Sequence, residues 1–135
     1  MESIKEALCV DAACSGNPGP MEYRGVHIPS GKEIFRFGPI QGTNNIGEFL
    51  AIVHGLALME QKGIRMPIYS DSVSGQAWVR NKKAKTTLER NEQTAQALDL
   101  VARAENWLRT HNSSIPILKW NTEEWGEIPA DFGRK

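Results

Sequence analysis

Cys9 and Cys14 are the only cysteines in the chain. They lie close together on one extended segment, where a disulfide would be strained, and no paired C-x-x-C site accompanies them. A disulfide scaffold and a thiolate zinc site are therefore poor readings, and both residues read as reduced core thiols. Long apolar runs are missing too. The richest stretch, FLAIVHGLALM, is too short to span a bilayer and is interrupted by His54 and Gly55, and the start, MESIKEALCV, has only a short apolar run after Lys5. The expectation is a cytoplasmic protein with no membrane partner. There is no excess of either charge: 16 basic and 16 acidic residues leave a formal net charge of zero, which argues against gripping nucleic acid by charge alone. Low-complexity tracts and internal repeats are also lacking.

What is present suits a folded domain. With 135 residues, 40% of them hydrophobic, the chain should form a single domain over 1–135 and bury a core without staples. The neutral total hides its distribution. If several acids gather around metal ions, the remaining surface is net basic, with RNKKAK at 80–85 as its focus.

The pattern predicts a first strand from Ile4 to about Ala13, then two strands in YRGVHIPSGKEIFRFGPI joined at Pro29-Ser30-Gly31. TNNIGEFLAIVHGLALMEQKG predicts a helix with Ile46, Phe49, Leu50, Val53, Leu56 and Ala57 on its buried face, ending at Gly63. A short strand at Pro67–Ser70 precedes a helix from Ser72 to about Lys82. LERNEQTAQALDLVARAENWLRTH predicts a longer helix with Leu98, Val101, Ala102, Glu105 and Leu108 in line, and Ile115–Trp120 a last strand. A meander followed by strands alternating with helices implies a mixed sheet with right-handed parallel crossovers. Ligand sites in such sheets gather beyond the strands' carboxyl ends.

Four acids occupy suggestive places. Asp11 falls in or just after the first strand, Glu48 in the first turn of the first helix, Asp71 at the end of the short strand and Asp131 in the tail. Three have ordinary explanations: Glu48 could complete a capping box with Asn45, Asp71 could cap the next helix, and Asp131 could be a solvated tail residue. Asp11 resists this treatment, because an ionised carboxylate in a central strand costs several kcal/mol unless cations or hydrogen bonds compensate it. A carboxylate cluster with only three histidines in the whole chain is hard-oxygen chemistry, suited to Mg²⁺ or Mn²⁺ rather than zinc. Two such ions, about 3.5–4 Å apart, stabilise the attacking and leaving oxygens of phosphodiester cleavage. The Gly16-Asn17-Pro18-Gly19 loop is not followed by Gly-Lys-Ser/Thr, so no nucleotide cofactor is expected.

VDAACSGNPGP, GTNNIGEFLAI, PIYSDS and WGEIPADFGRK, in this order and spacing, resemble ribonuclease H of type 1 in its compact bacterial form without a basic protrusion. The likeness implies an α/β fold, a five-stranded mixed sheet with helices on both faces. It implies Asp11, Glu48, Asp71 and Asp131 as ligands of two Mg²⁺ ions, for which Mn²⁺ substitutes, with Asp11 bridging both and Asp131 serving the ion that activates water. The substrate so implied is an RNA/DNA hybrid, cut in its RNA strand to leave 5′-phosphate and 3′-hydroxyl ends by a monomeric enzyme. By the same likeness Gly16, Asn17, Asn44 and Asn45 would contact the RNA strand, whose 2′-hydroxyls distinguish it from DNA. Thr43, Asn45, Thr86 and Thr87 would hold a DNA-strand phosphate.

Thr86 could equally form a capping box with Glu89, and Trp78 could stack on a sugar or simply pack in the core. Lys82, Lys83 and Lys85 read as a solvated face or as phosphate contacts. The sequence departs from the family pattern in two places. Val73 stands where many members have Gln, and no His precedes Asp131, where Glu127 is found instead. Glu127 is the candidate to take that place in catalysis. Rival readings are a DNA nuclease or transposase-like member of the same fold, and a non-catalytic nucleic-acid-binding module.

Overall fold

The computed structural model describes residues 6–132, so Ile4 and Lys5 of the predicted first strand lie outside it. Strands β1 (Ala7–Cys14), β2 (Gly19–Ile28) and β3 (Glu33–Gly42) form the expected meander. Helix α1 (Asn44–Lys62), strand β4 (Ile68–Ser70), helices α2 (Val73–Asn81) and α3 (Ala95–Thr110), strand β5 (Ile117–Lys119) and a single turn α4 (Thr122–Trp125) follow. The sheet order is β3-β2-β1-β4-β5. β1 is central, antiparallel to β2 and parallel to β4.

β1 can be apolar on both sides because both faces of the sheet are covered. Leu8, Val10 and Ala12 enter a core shared with α1 and α3, while Ala7 and Cys9 face a smaller core built from Val26, Ile28, Trp120, Ile128 and Ala130. That second face is closed by the tail around α4, whose Trp125 packs edge-on to Trp120 at 5.0 Å between ring centroids. Among the described residues no helix is long and apolar enough to cross a membrane.

α1 is buried more widely than one stripe. Gly47, Ala51, Ile52, Gly55 and Met59 join the predicted face, whereas Ala57 is only half-buried. Its glycines permit this: a Cβ on Gly47 would come within 2.8 Å of Ala12 Cβ, and one on Gly55 within 2.8 Å of Leu8 Cδ2, so α1 lies directly on β1. Thr43 caps the helix, its Oγ1 accepting the Ile46 N–H at 3.2 Å, and Gly63 ends it in the left-handed conformation at φ 68°.

The largest departures from the expected boundaries are in three elements. β2 begins at Gly19 rather than Tyr23. β5 keeps only the middle of the predicted Ile115–Trp120. α3 starts at Ala95, not Leu88, because Asn91 and Thr94 fold the preceding stretch into a turn. Asn91 Oδ1 accepts the N–H groups of Gln93 (2.8 Å) and Thr94 (3.0 Å), and Thr94 Oγ1 donates to the Glu89 carbonyl at 2.6 Å. On α3 the buried line runs Ala97, Val101, Ala104, Glu105 and Leu108, leaving Ala102 exposed and Leu98 half-buried.

Candidate active site

β1 and β4 run side by side with Leu8 paired to Ile68 and Cys9 to Tyr69. Continuing that parallel register brings Asp71, the first residue after β4, level with Asp11. Glu48 approaches from α1, just beyond its first turn. Carboxylate oxygens of Asp11, Glu48 and Asp71 all lie within 4.8 Å of one another. Asp11 is 0% and Glu48 2% exposed, while Asp71 is half-buried and closes the group on the solvent side. The ordinary explanations for two of these acids fail here. Thr43 caps α1 where Glu48 might have contributed, and Ser72 caps α2, its Oγ accepting the Gly75 N–H at 2.8 Å, which leaves Asp71 free of that duty.

Three like charges so close repel strongly in a low-dielectric setting, and a divalent cation relieves that repulsion. The donors are all carboxylate oxygens, with no imidazole or thiolate among them, which fits a hard cation. The cysteines stay out of this chemistry. Both are free, burial pushes the Cys9 thiol up to about 12 and raises Cys14 as well, and Cys14 Sγ donates to the Gly16 carbonyl at 2.6 Å.

Asp131 is not part of the three-acid group. It is half-buried in the tail, where its N–H donates to the Ile128 carbonyl at 2.9 Å and closes a turn over Pro129 and Ala130. Glu127 is exposed, in the loop before that turn.

A cleft of about 720 Å³ gathers most of the residues expected to touch nucleic acid: Asn17, Thr43, Asn44, Asn45, Trp78, Thr86 and Thr87. Gly16 is not among its lining residues; it adopts φ 96° and turns the chain toward Asn17, whose Oδ1 accepts the Asn44 N–H at 2.9 Å. None of the three clustered acids lines the cleft, but Asn44 and Asn45 begin α1 one turn before Glu48, so one helix serves both places. Trp78 serves two purposes: its ring meets Phe49 edge-on at 6.0 Å and also lines the cleft.

Thr86 does not cap a helix, since none begins there; its Oγ1 accepts the Leu88 N–H at 3.2 Å. Of the three lysines, Lys85 lines the cleft, Lys82 ends α2 at φ 56°, and Lys83 lies 3.8 Å from Glu105. Glu105, only 8% exposed, accepts the Ala84 N–H at 2.9 Å and so fixes the segment that carries Lys85, Thr86 and Thr87. Gln41, Asn91 and Gln93 also line the cleft and were not anticipated. The turn at 91–94 places the last two, and an uninterrupted helix from Leu88 concealed it.

The family model for RNase H matches residues 4–119. The ribonuclease H of Neorickettsia sennetsu is 32% identical, over 95% of this chain and 89% of that protein. The N-terminal ribonuclease H domain of a Mycobacterium tuberculosis protein superposes with a TM-score of 0.55 at 18% identity, covering 88% of each chain. A ribonuclease H1 known as LC11, solved in complex with an RNA/DNA hybrid, superposes with a TM-score of 0.50 at 16% identity, covering 89% of this chain and 88% of the other. A central strand carrying a buried acid, two further acids converging on it from α1 and β4, and a matching family over most of the length lead to one conclusion: this chain belongs to the ribonuclease H family.

Proposed function

We propose that this ribonuclease H cuts the RNA strand of RNA/DNA hybrids at Asp11, Glu48 and Asp71, using two Mg²⁺ ions or Mn²⁺ in their place, and leaves 5′-phosphate and 3′-hydroxyl ends. The observation that carries this reading is the meeting of three carboxylates within 4.8 Å, two of them buried, beside a cleft lined by side-chain amides and hydroxyls. Divalent cations bound there would stabilise charge on the attacking and leaving oxygens of an in-line displacement. Asp11 gives the site its most rigid donor, because it stands on the central strand with neighbours on both sides. Glu48 and Asp71 bring donors from a helix and a loop, and Asp131 would add a fourth from the tail.

In the cleft, Asn17, Asn44 and Asn45 would meet 2′-hydroxyls, while Thr43, Thr86 and Thr87 would hold a phosphate of the DNA strand. The relative solved with an RNA/DNA hybrid supports that choice of duplex. Two free thiols fit a reducing compartment, and we place the enzyme in the cytoplasm, acting as a monomer.

The test is incubation with end-labelled RNA/DNA, RNA/RNA and DNA/DNA duplexes in Mg²⁺, Mn²⁺, Ca²⁺ or chelator. Cleavage is expected for the RNA of the hybrid alone, in Mg²⁺ or Mn²⁺ and not in Ca²⁺, whose looser coordination suits an in-line site poorly. Hybrid affinity should fall as salt rises. Cutting of DNA/DNA would favour the DNA nuclease, and binding without cleavage in any cation would favour a recognition module.

A further inference from the structure

We infer that Arg24 is a positioning residue that clamps the tail beside Asp11 and so sets where Asp131 stands. This rests on the proposed participation of Asp131 in cleavage. Arg24 and Asp11 are direct partners in the β1–β2 ladder. Opposed residues of an antiparallel pair project to the same face, about 5 Å apart at Cβ, so Arg24 rises from the sheet next to the central acid of the site.

Its guanidinium reaches the tail. Nε donates to the Ala130 carbonyl at 2.8 Å and Nη2 to the Asp131 carbonyl at 2.6 Å, a fork spanning two consecutive peptide groups. Nη1 lies 3.5 Å from Glu33 Oε1, and the Phe132 ring lies under the guanidinium, its centroid 4.9 Å from the central carbon. Arg36 meets that ring at 5.1 Å. Burial of Ile128 and Ala130 anchors the tail to the sheet, but apolar packing alone lets a chain end slide and rotate. Two directional bonds to the main chain on either side of the Asp131 Cα fix the residue's orientation. A lysine at the same place would keep the charge and lose the fork.

The experiment compares Arg24→Ala, Arg24→Lys and Asp131→Asn by steady-state hydrolysis of an RNA/DNA hybrid, Mg²⁺ titration and hydrogen exchange. For Arg24→Ala we expect kcat to fall between about tenfold and a hundredfold, the scale of a misplaced catalytic group. KM for the hybrid should stay within about twofold, because the cleft is untouched. The Mg²⁺ needed for half-maximal rate should rise. The Asp131 amide should exchange faster while β1 amides do not, a readout that needs neither activity nor metal.

Arg24→Lys should lie nearer to Arg24→Ala than to the parent, and it carries the test if the alanine variant fails to fold. Unchanged tail exchange overturns the clamp. So does a loosened tail with full turnover when Asp131→Asn is inactive, which shows the anchor to be structural only. Full turnover by Asp131→Asn removes the basis of the inference by a separate route, through the role of Asp131 itself.

Discussion

Asp71→Asn is expected to abolish cleavage of the RNA/DNA hybrid while leaving its binding nearly intact. The amide has the size of the carboxylate but not its charge, so the three-acid group loses one of its donors without losing its shape. Asp71 is half-buried, does not line the cleft and makes no cap for α2, so the substitution should leave the fold and the cleft's duplex contacts nearly unchanged. Losing a metal-centred electrostatic interaction should raise the barrier by about 3 kcal/mol or more, at least a hundredfold in kcat. KM should move by no more than a few-fold. Steady-state kinetics with a labelled hybrid checks both, and near-normal turnover would remove Asp71 from the chemistry.

The second large effect separates two acids of the tail. Asp131 sits at the end of a turn that begins at buried Ile128 and includes buried Ala130, and its carbonyl is held by Arg24. Glu127 precedes that turn, exposed, after Gly126 at φ 81°. A fixed acid can serve chemistry in every cycle, whereas an acid on an exposed loop is better suited to hydration changes or product release. Asp131→Asn should therefore stop cleavage in single-turnover and steady-state assays alike. Glu127→Gln should slow multiple turnover and spare most of a single turnover. Equal losses for Glu127→Gln in both assays would place it in the chemical step, and no loss in either would make it a solvated acid.

Much of this arrangement was legible in the residues. α1 declared itself through its helical period and its glycine stop, and Asp11 through the anomaly of an acid in an otherwise apolar strand. Which polar residue caps α1 was not legible, because Thr43, Asn44 and Asn45 are all good caps in series and only the backbone shows that Thr43 is used. The start of α3 was hidden because helix-compatible residues surround Asn91 and Thr94, and the turn depends on bonds between side chain and backbone that periodicity does not record.

Glu105 stood on the apolar line of α3, and its partner, the Ala84 amide, is distant in sequence. Arg24 had no sequence signal, since its role arises from strand register and from a tail more than a hundred positions away. The family resemblance implies Asp131 alongside the other three acids; among the described residues, carboxylate oxygens of Asp11, Glu48 and Asp71 lie within 4.8 Å of one another, and Asp131 is half-buried in the tail.

Thermal unfolding with and without Mg²⁺, for the parent chain and Asp11→Asn, tests most directly whether that group is a cation site. Clustered carboxylates destabilise the metal-free fold, so Mg²⁺ at about ten times its dissociation constant should add about 1.4 kcal/mol and raise Tm by roughly 3–6 °C. Asp11→Asn, with less repulsion to relieve, should melt at or above the metal-free parent and respond little to Mg²⁺. An equal Mg²⁺ response in both proteins, or none in the parent, would contradict the assignment of Asp11, Glu48 and Asp71 as the metal-holding centre.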